Sequence, residues 1–189
     1  MSVVAIVIGL VGGIVLGIAG GYWLPPHGRR IALGAAGRDR RILLPFTGQA
    51  ISRRSFEAAV RLAKAENAIV MPAFLARVPM SLPFDSALPI QCAKGMPLLE
   101  AIEQKLSTEG IPVDSRIGRG RTPRDALRRL LAEEHFDRII VSASEDPRAG
   151  LGYEDLRWLL EHASTEILIL RPAPDDTRSV SAGVLSGDF

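Results

Sequence analysis

Apolar and polar positions divide the 189-residue chain into three regimes. Residues 3–24 carry no charged side chain. From residue 41 to 170, short apolar runs alternate with stretches at helical spacing, and from Pro172 onward polar, small and acidic residues predominate. In the middle regime ILLPF at residues 42–46, closing at Thr47 and Gly48, has the unbroken apolar character of a buried strand. Ser52 then opens a helix reaching about Glu66, with Phe56, Ala59, Val60 and Ala63 inward and Arg53, Arg54, Arg61 and Lys64 outward. Residues 68–75 read as a second strand. Residues 77–97 hold Pro79, Pro83, Pro89 and Pro97 and read as a long loop. Helical spacing resumes over 96–109, where Leu98, Leu99, Ile102 and Leu106 face inward and Gly110 supplies the C-cap. A third strand is expected at 113–117. Thr122, Pro123 and Asp125 spell a helix start of N-cap, proline and acid, and that helix ends near His135. A strand at 137–141, a helix at 153–162 and a strand at 166–170 complete the pattern.

Five strands alternating with four helices predict an α/β fold, a five-stranded parallel sheet with helices on both faces. Ligands of such sheets bind beyond the carboxyl ends of the strands, where strand order reverses. The connections to interrogate are therefore 47–51, 118–122 and 142–152.

The first regime reads as one transmembrane helix. At about 1.5 Å per residue, residues 3–24 span roughly 33 Å, enough to cross a hydrocarbon core of about 30 Å. Tyr22 and Trp23 stand where an interfacial aromatic belt belongs. Arg29, Arg30, Arg38, Arg40 and Arg41 follow against a single acid, Asp39, so the amino terminus is expected outside and the rest in the cytoplasm. This makes the chain a single-pass protein of the inner (plasma) membrane. A cleaved signal peptide is the competing account, but Met1 and Ser2 supply no positive n-region, and Ala19-Gly20-Gly21 beside Tyr22 is a poor cleavage site. Gly9, Gly13, Gly17 and Gly21 recur every fourth position, and with Gly12 and Gly20 they occupy one half of the helix. Such a face lets helix backbones approach closely in lipid. The expected organisation is a transmembrane helix at 1–24, a juxtamembrane linker at 25–39, a domain at 40–172 and a disordered tail at 173–189.

Composition narrows the chemistry. The net charge of +2 is too balanced for a nucleic-acid platform. Cys92 is the single cysteine, which excludes an internal disulfide, and His27, His135 and His162 lack the close spacing of a metal site. Ser142 and Ser144 lack the Gly-x-Ser-x-Gly turn of a nucleophile elbow, and no catalytic constellation converges. The turn Gly118-Arg119-Gly120-Arg121-Thr122 sets guanidiniums beside a capped helix start and is the candidate anion cradle.

RILLPFTGQ at 41–49 with Ser52 and the following helix, IGRGRTP at 117–123 with FDRIIV at 136–141, and LLEHASTEILILR at 159–171 together resemble the universal stress protein family. The resemblance spans residues 40–172. It implies an adenine-nucleotide-binding α/β fold that dimerises through its last strand, with a Gly-x2-Gly-x9-Gly-Ser/Thr motif after the fourth strand in members that bind ATP. The corresponding stretch here is SASEDPRAGLGYE at 142–154. Glu145 and Asp146 place negative charge where phosphate would sit, Tyr153 and Glu154 take the Gly-Ser position, and Thr47 replaces the carboxylate expected after the first strand. Two unit charges at about 4 Å repel by roughly 4 kcal/mol at an effective dielectric near 20, much of a micromolar affinity, which Arg148 offsets only in part.

The sequence therefore predicts a membrane-anchored, cytoplasmic stress-response-type regulatory module with no cofactor and no enzymatic activity, not binding ATP in the family's usual way. Its expected partners are the lipid bilayer through residues 3–24 and either a second copy, as a homodimer, or a membrane protein. The alternatives are a sensor of a nucleotide or other anion, using Thr47, Ser142 and the Gly118–Thr122 turn, an accessory subunit of a membrane transporter complex, and an enzyme on the same scaffold.

Overall fold

The computed structural model describes residues 40–48, 50–144, 150–171 and 179–181. The proposed membrane segment, the linker, and Glu145, Asp146 and Arg148 lie outside the described residues. Among the described residues, no helix is long and apolar enough to cross a membrane.

The parallel sheet is built around β1 (Arg41–Phe46). Ile42, Leu43, Leu44 and Phe46 are each at most 3 % exposed, so both faces of the strand are covered. On one side β1 pairs with β3 (Ile69–Arg77), from Arg41 opposite Ile69 to Phe46 opposite Phe74. On the other side it pairs with β5 (Arg138–Ser142), Ile42 opposite Arg138. The edges are β4 (Arg116–Gly120), on β3, and β6 (Glu166–Leu170), on β5. Strand order is β4-β3-β1-β5-β6, so the reversal point lies between β1 and β5.

Alternation along the strands splits the core in two. Ile42, Leu44, Phe46, Val70, Phe74 and Ile140 face α1 (Arg53–Glu66) and α2 (Pro89–Thr108), where Phe56, Ala59, Leu98, Ile102 and Leu106 meet them. Leu43, Met71, Leu75, Ile139 and Val141 face α3 (Pro123–Glu133) and α4 (Tyr153–His162), where Ala126, Leu127, Leu130 and Leu159 meet them. Each such large side chain contributes about 1.5–3 kcal/mol on burial. At the amino ends of the strands Arg41 reaches Glu134 at 2.6 Å, Arg116 reaches the same Glu134 at 3.0 Å, and Arg138 bridges Glu66 and Glu166.

Several elements depart from the sequence pattern. Helix α2 begins at Pro89 inside the expected loop and carries Pro97 in its interior. Proline there removes the hydrogen bond to the Ala93 carbonyl, but Ala93 and Pro97 are both exposed, so water replaces it. Gly95 lets this first half settle onto the sheet: a Cβ there would stand 2.5 Å from the Phe74 ring. The third strand runs over 116–120 rather than 113–117, and Val113 makes only an isolated bridge to Val70. Gly118 to Gly120 are thus strand rather than turn. The connection after β1 contains a short strand, β2 (Ala50–Ser52), paired antiparallel with β7 (Ser179–Ser181). The tail expected to be disordered therefore contributes a strand at 179–181. Helix α4 and strand β6 match their expected bounds, and Gly110, at φ +73°, follows α2 in the left-handed conformation expected of a helix stop.

Packing of α3 onto β4 depends on the absence of side chains. A Cβ on Gly120 would lie 2.2 Å from the Ala126 backbone nitrogen, whereas one on Gly118 would have Leu75 Cδ2 as its nearest neighbour at 3.2 Å, with Ala126 at ordinary contact distance. Gly120→Ala is expected to destabilise the domain by about 1–3 kcal/mol in urea unfolding, and Gly118→Ala by clearly less, because a leucine methyl can yield and backbone cannot.

Candidate functional site

The carboxyl ends of β1 and β5 bring together Thr47, half-buried, and Ser142, 6 % exposed. Beyond Ser142 the chain folds back on itself. Leu151 N–H donates to Ser142 O at 2.9 Å, Ser144 N–H donates to Leu151 O at 3.1 Å, and Leu151 is buried in the α3/α4 core. Gly150 makes the return possible, since a Cβ there would sit 2.3 Å from Ser142 O. Gly152, with extended backbone, is the N-cap of α4. Tyr153, exposed, and Glu154 are the first two residues of that helix. The first turn of α4 carries Glu154 and Asp155, the latter 3.2 Å from Arg124.

The Gly118–Thr122 segment belongs to a different place. Strand β4 is three strand spacings from β5, about 14 Å, so Arg119 and Arg121 do not converge with Thr47 and Ser142. Arg119 Nη1 donates to the Phe84 and Ser86 carbonyls at 3.3 and 3.4 Å. Arg121 Nη1 donates to the Leu82 carbonyl at 2.9 Å and to those of Val78 and Pro79. Arg121 and Arg129 also stack on the Phe84 ring, with guanidinium carbons 4.3 and 4.1 Å from its centre. Both arginines of the expected cradle thus fasten the 78–86 loop. An open groove of about 370 Å3 lies between this loop, β4 and α3, but its Arg116 is already held by Glu134 and Asp114.

Thr122 does cap α3: Asp125 N–H donates to its hydroxyl at 3.1 Å, and Arg121 N–H donates to Asp125 Oδ2 at 3.0 Å. The backbone N–H of Arg121 is the main reason the Asp125 carboxyl titrates below its ordinary value; burial opposes it, and Arg128 and Arg129 add to it.

No group of three His, Cys, Asp or Glu suited to a metal occurs among the described residues. His162 Nδ1 lies 2.9 Å from the Trp158 carbonyl and its ring stacks on Trp158. Cys92 is half-buried in α2. None of these groups meets Ser142 as a base would.

Among the described residues, the buried hydroxyls of Ser52, Ser55 and Ser142 have no hydrogen-bond partner. Each such group costs about 1–3 kcal/mol. The pattern assigned Ser52 a capping role, yet it makes no side-chain cap bond to α1. Ser55 has its own signal in the sequence, a serine next to Phe56 and four residues before Ala59 on an apolar face.

A depressed carboxyl pKa stabilises the fold above the ordinary value of 3.8, and that contribution is lost as pH falls through the folded-state value. Asp125→Asn is therefore expected to lower the melting temperature at pH 7, with the gap from wild type closing below pH 3.8 in a calorimetric pH series.

No protein-family model and no curated protein matches the chain by sequence. Solved structures do match. A universal stress protein family protein from Burkholderia pseudomallei is 17 % identical with a TM-score of 0.54, over 72 % of this chain and 98 % of that one. A universal stress protein family protein from Arabidopsis thaliana, with AMP bound, is 15 % identical with a TM-score of 0.54, over 74 % and 96 %. A universal stress protein in complex with cAMP is 19 % identical with a TM-score of 0.52, over 69 % and 96 %. The described domain has the universal stress protein fold.

Proposed function

We propose that this chain is a regulatory or interaction module, a stress-protein-like domain carried at a membrane by residues 3–24, that does not bind ATP in the manner of nucleotide-binding members of that fold. The observation that supports it is the charge at the reversal point. The described side chains there are Thr47, Ser142, Leu151 and Tyr153, with Glu154 and Asp155 in the first turn of α4, and the cation beside them, Arg124, is paired with Asp155 at 3.2 Å. The arginines of the expected anion cradle, Arg119 and Arg121, are spent on loop carbonyls at the far edge of the sheet.

Equilibrium dialysis of the full-length protein in lipid nanodiscs against labelled ATP is expected to show no binding in the low-micromolar range; tight binding would sink the reading. Protease added outside intact cells is expected to leave the domain uncut. Gly13→Leu with Gly17→Leu is expected to change the partners or oligomers recovered after detergent solubilisation, and unchanged recovery would make the glycine face idle.

A second reading, a sensor of a nucleotide or other anion, draws support from the AMP and cAMP held by two structural neighbours. Under it, a ligand raises the melting temperature of the wild type, and Arg119→Ala with Arg121→Ala abolishes the rise if the 118–122 segment is the site.

A further inference from the structure

The connection from β3 into α2 combines apolar, exposed side chains with a backbone that needs little water. Met80 is 81 % exposed, Leu82 39 % and Ile90, in the first turn of α2, 69 %. The exposed face of α2 continues the trend through Ala93 and Pro97 before changing to Glu100, Glu103, Gln104 and Ser107. Pro79, Pro83 and Pro89 have no N–H to hydrate, while Leu82 N–H donates to Pro79 O at 3.1 Å and Ser86 N–H to Pro83 O at 3.3 Å. Arg121 donates to the carbonyls of Val78, Pro79 and Leu82, and Arg119 to those of Phe84 and Ser86. These two arginines stand two residues apart on β4, so they pin residues 78–86 along one edge of the sheet.

Water satisfies the carbonyls of an ordinary surface loop. Non-helical backbone beside hydrocarbon must find its partners in the protein, as this segment does. Charge points the same way. Among the described residues, neither the Arg119 nor the Arg121 guanidinium has a carboxylate partner, and Arg77 and Lys94, both exposed, flank the segment against one acid, Asp85. A second copy docked here would set these cations against their own kind. An anionic lipid surface answers both properties, with apolar depth for Met80, Leu82 and Ile90 and phosphate for the cations around them.

We propose that residues 79–90 insert Met80, Leu82 and Ile90 into the headgroup region of an anionic bilayer, a second lipid contact that rests on the reading of residues 3–24 as a membrane anchor. Residues 25–39 reach at most about 50 Å when extended, so the tether permits the contact. Arg119 and Arg121 act in it as positioning residues, holding the loop's carbonyls so that its backbone can leave water.

The test uses the full-length protein carrying Cys92→Ala, with one nitroxide label attached through Met80→Cys, Ile90→Cys or Ser107→Cys. Ser107, on the polar half of α2, is the control. The protein is placed one copy per nanodisc, in phosphatidylcholine with phosphatidylserine or in phosphatidylcholine alone. Electron paramagnetic resonance then reads each label's collisions with oxygen, which concentrates in lipid, and with a nickel chelate, which stays in water. The oxygen-to-nickel ratio at positions 80 and 90 is expected to exceed that at 107 several-fold in the anionic discs and to fall in the neutral ones. Ratios at 80 and 90 equal to that at 107, or indifferent to the anionic lipid, would overturn the contact. Labels shielded from both reagents would also overturn it, since a protein occupant excludes oxygen and chelate alike. A chain that fails to enter the discs overturns the anchor and this contact together, whereas entry with water-exposed labels overturns this contact alone.

Discussion

Burial of β1 on both faces is the constraint on which the remaining architecture depends. A strand whose Ile42, Leu43, Leu44 and Phe46 are all shielded cannot sit at an edge or under a single helix layer. It requires a strand on each side, β3 and β5, and helices above and below. Once those are in place, right-handed crossovers send the first two helices to one face and the last two to the other, and the reversal point falls at the carboxyl end of β1. The position of the polar crevice is thus a consequence of where four apolar residues must go.

Elements with side-chain periodicity were legible from the residues alone. Helix α4 and strand β6 match in every residue, and Thr122 caps α3 as its neighbours Pro123 and Asp125 suggested. Features set by what is missing were harder to read. The prolines of 77–97 pointed to a loop because the exposure of Ala93, which makes Pro97 tolerable, is a tertiary property. Gly118 and Gly120 suggest a turn because a glycine carries no pattern, and only the approach of the Ala126 backbone explains Gly120. Strand β7 has three small or β-branched residues in a polar tail, too short a run to announce pairing with β2.

The candidate site shows the same division. Guanidiniums beside a capped helix suggested an anion cradle, and the cap is there, but loop carbonyls some 40 residues earlier in the chain claim both arginines. A local sequence window contains no information about such competitors. Conversely, the hydroxyls of Ser52, Ser55 and Ser142 are ordinary in the sequence and become notable only because none of the described residues hydrogen-bonds to them. Polar groups are judged by their partners, and partners come from the fold.

The place of β1 in chain order has a mechanical side. Residues 1–39 join the domain at Arg41, the first residue of the innermost strand rather than of an edge. Tension arriving through that segment along the strand axis would load the β1–β3 and β1–β5 ladders in shear, so their hydrogen bonds resist together instead of unzipping one at a time. The flanking contacts Arg41 to Glu134 and Arg41 N–H to Asp137 sit at the point where such a pull enters. A domain that the chain enters at its central strand would resist such a pull before its sheet came apart.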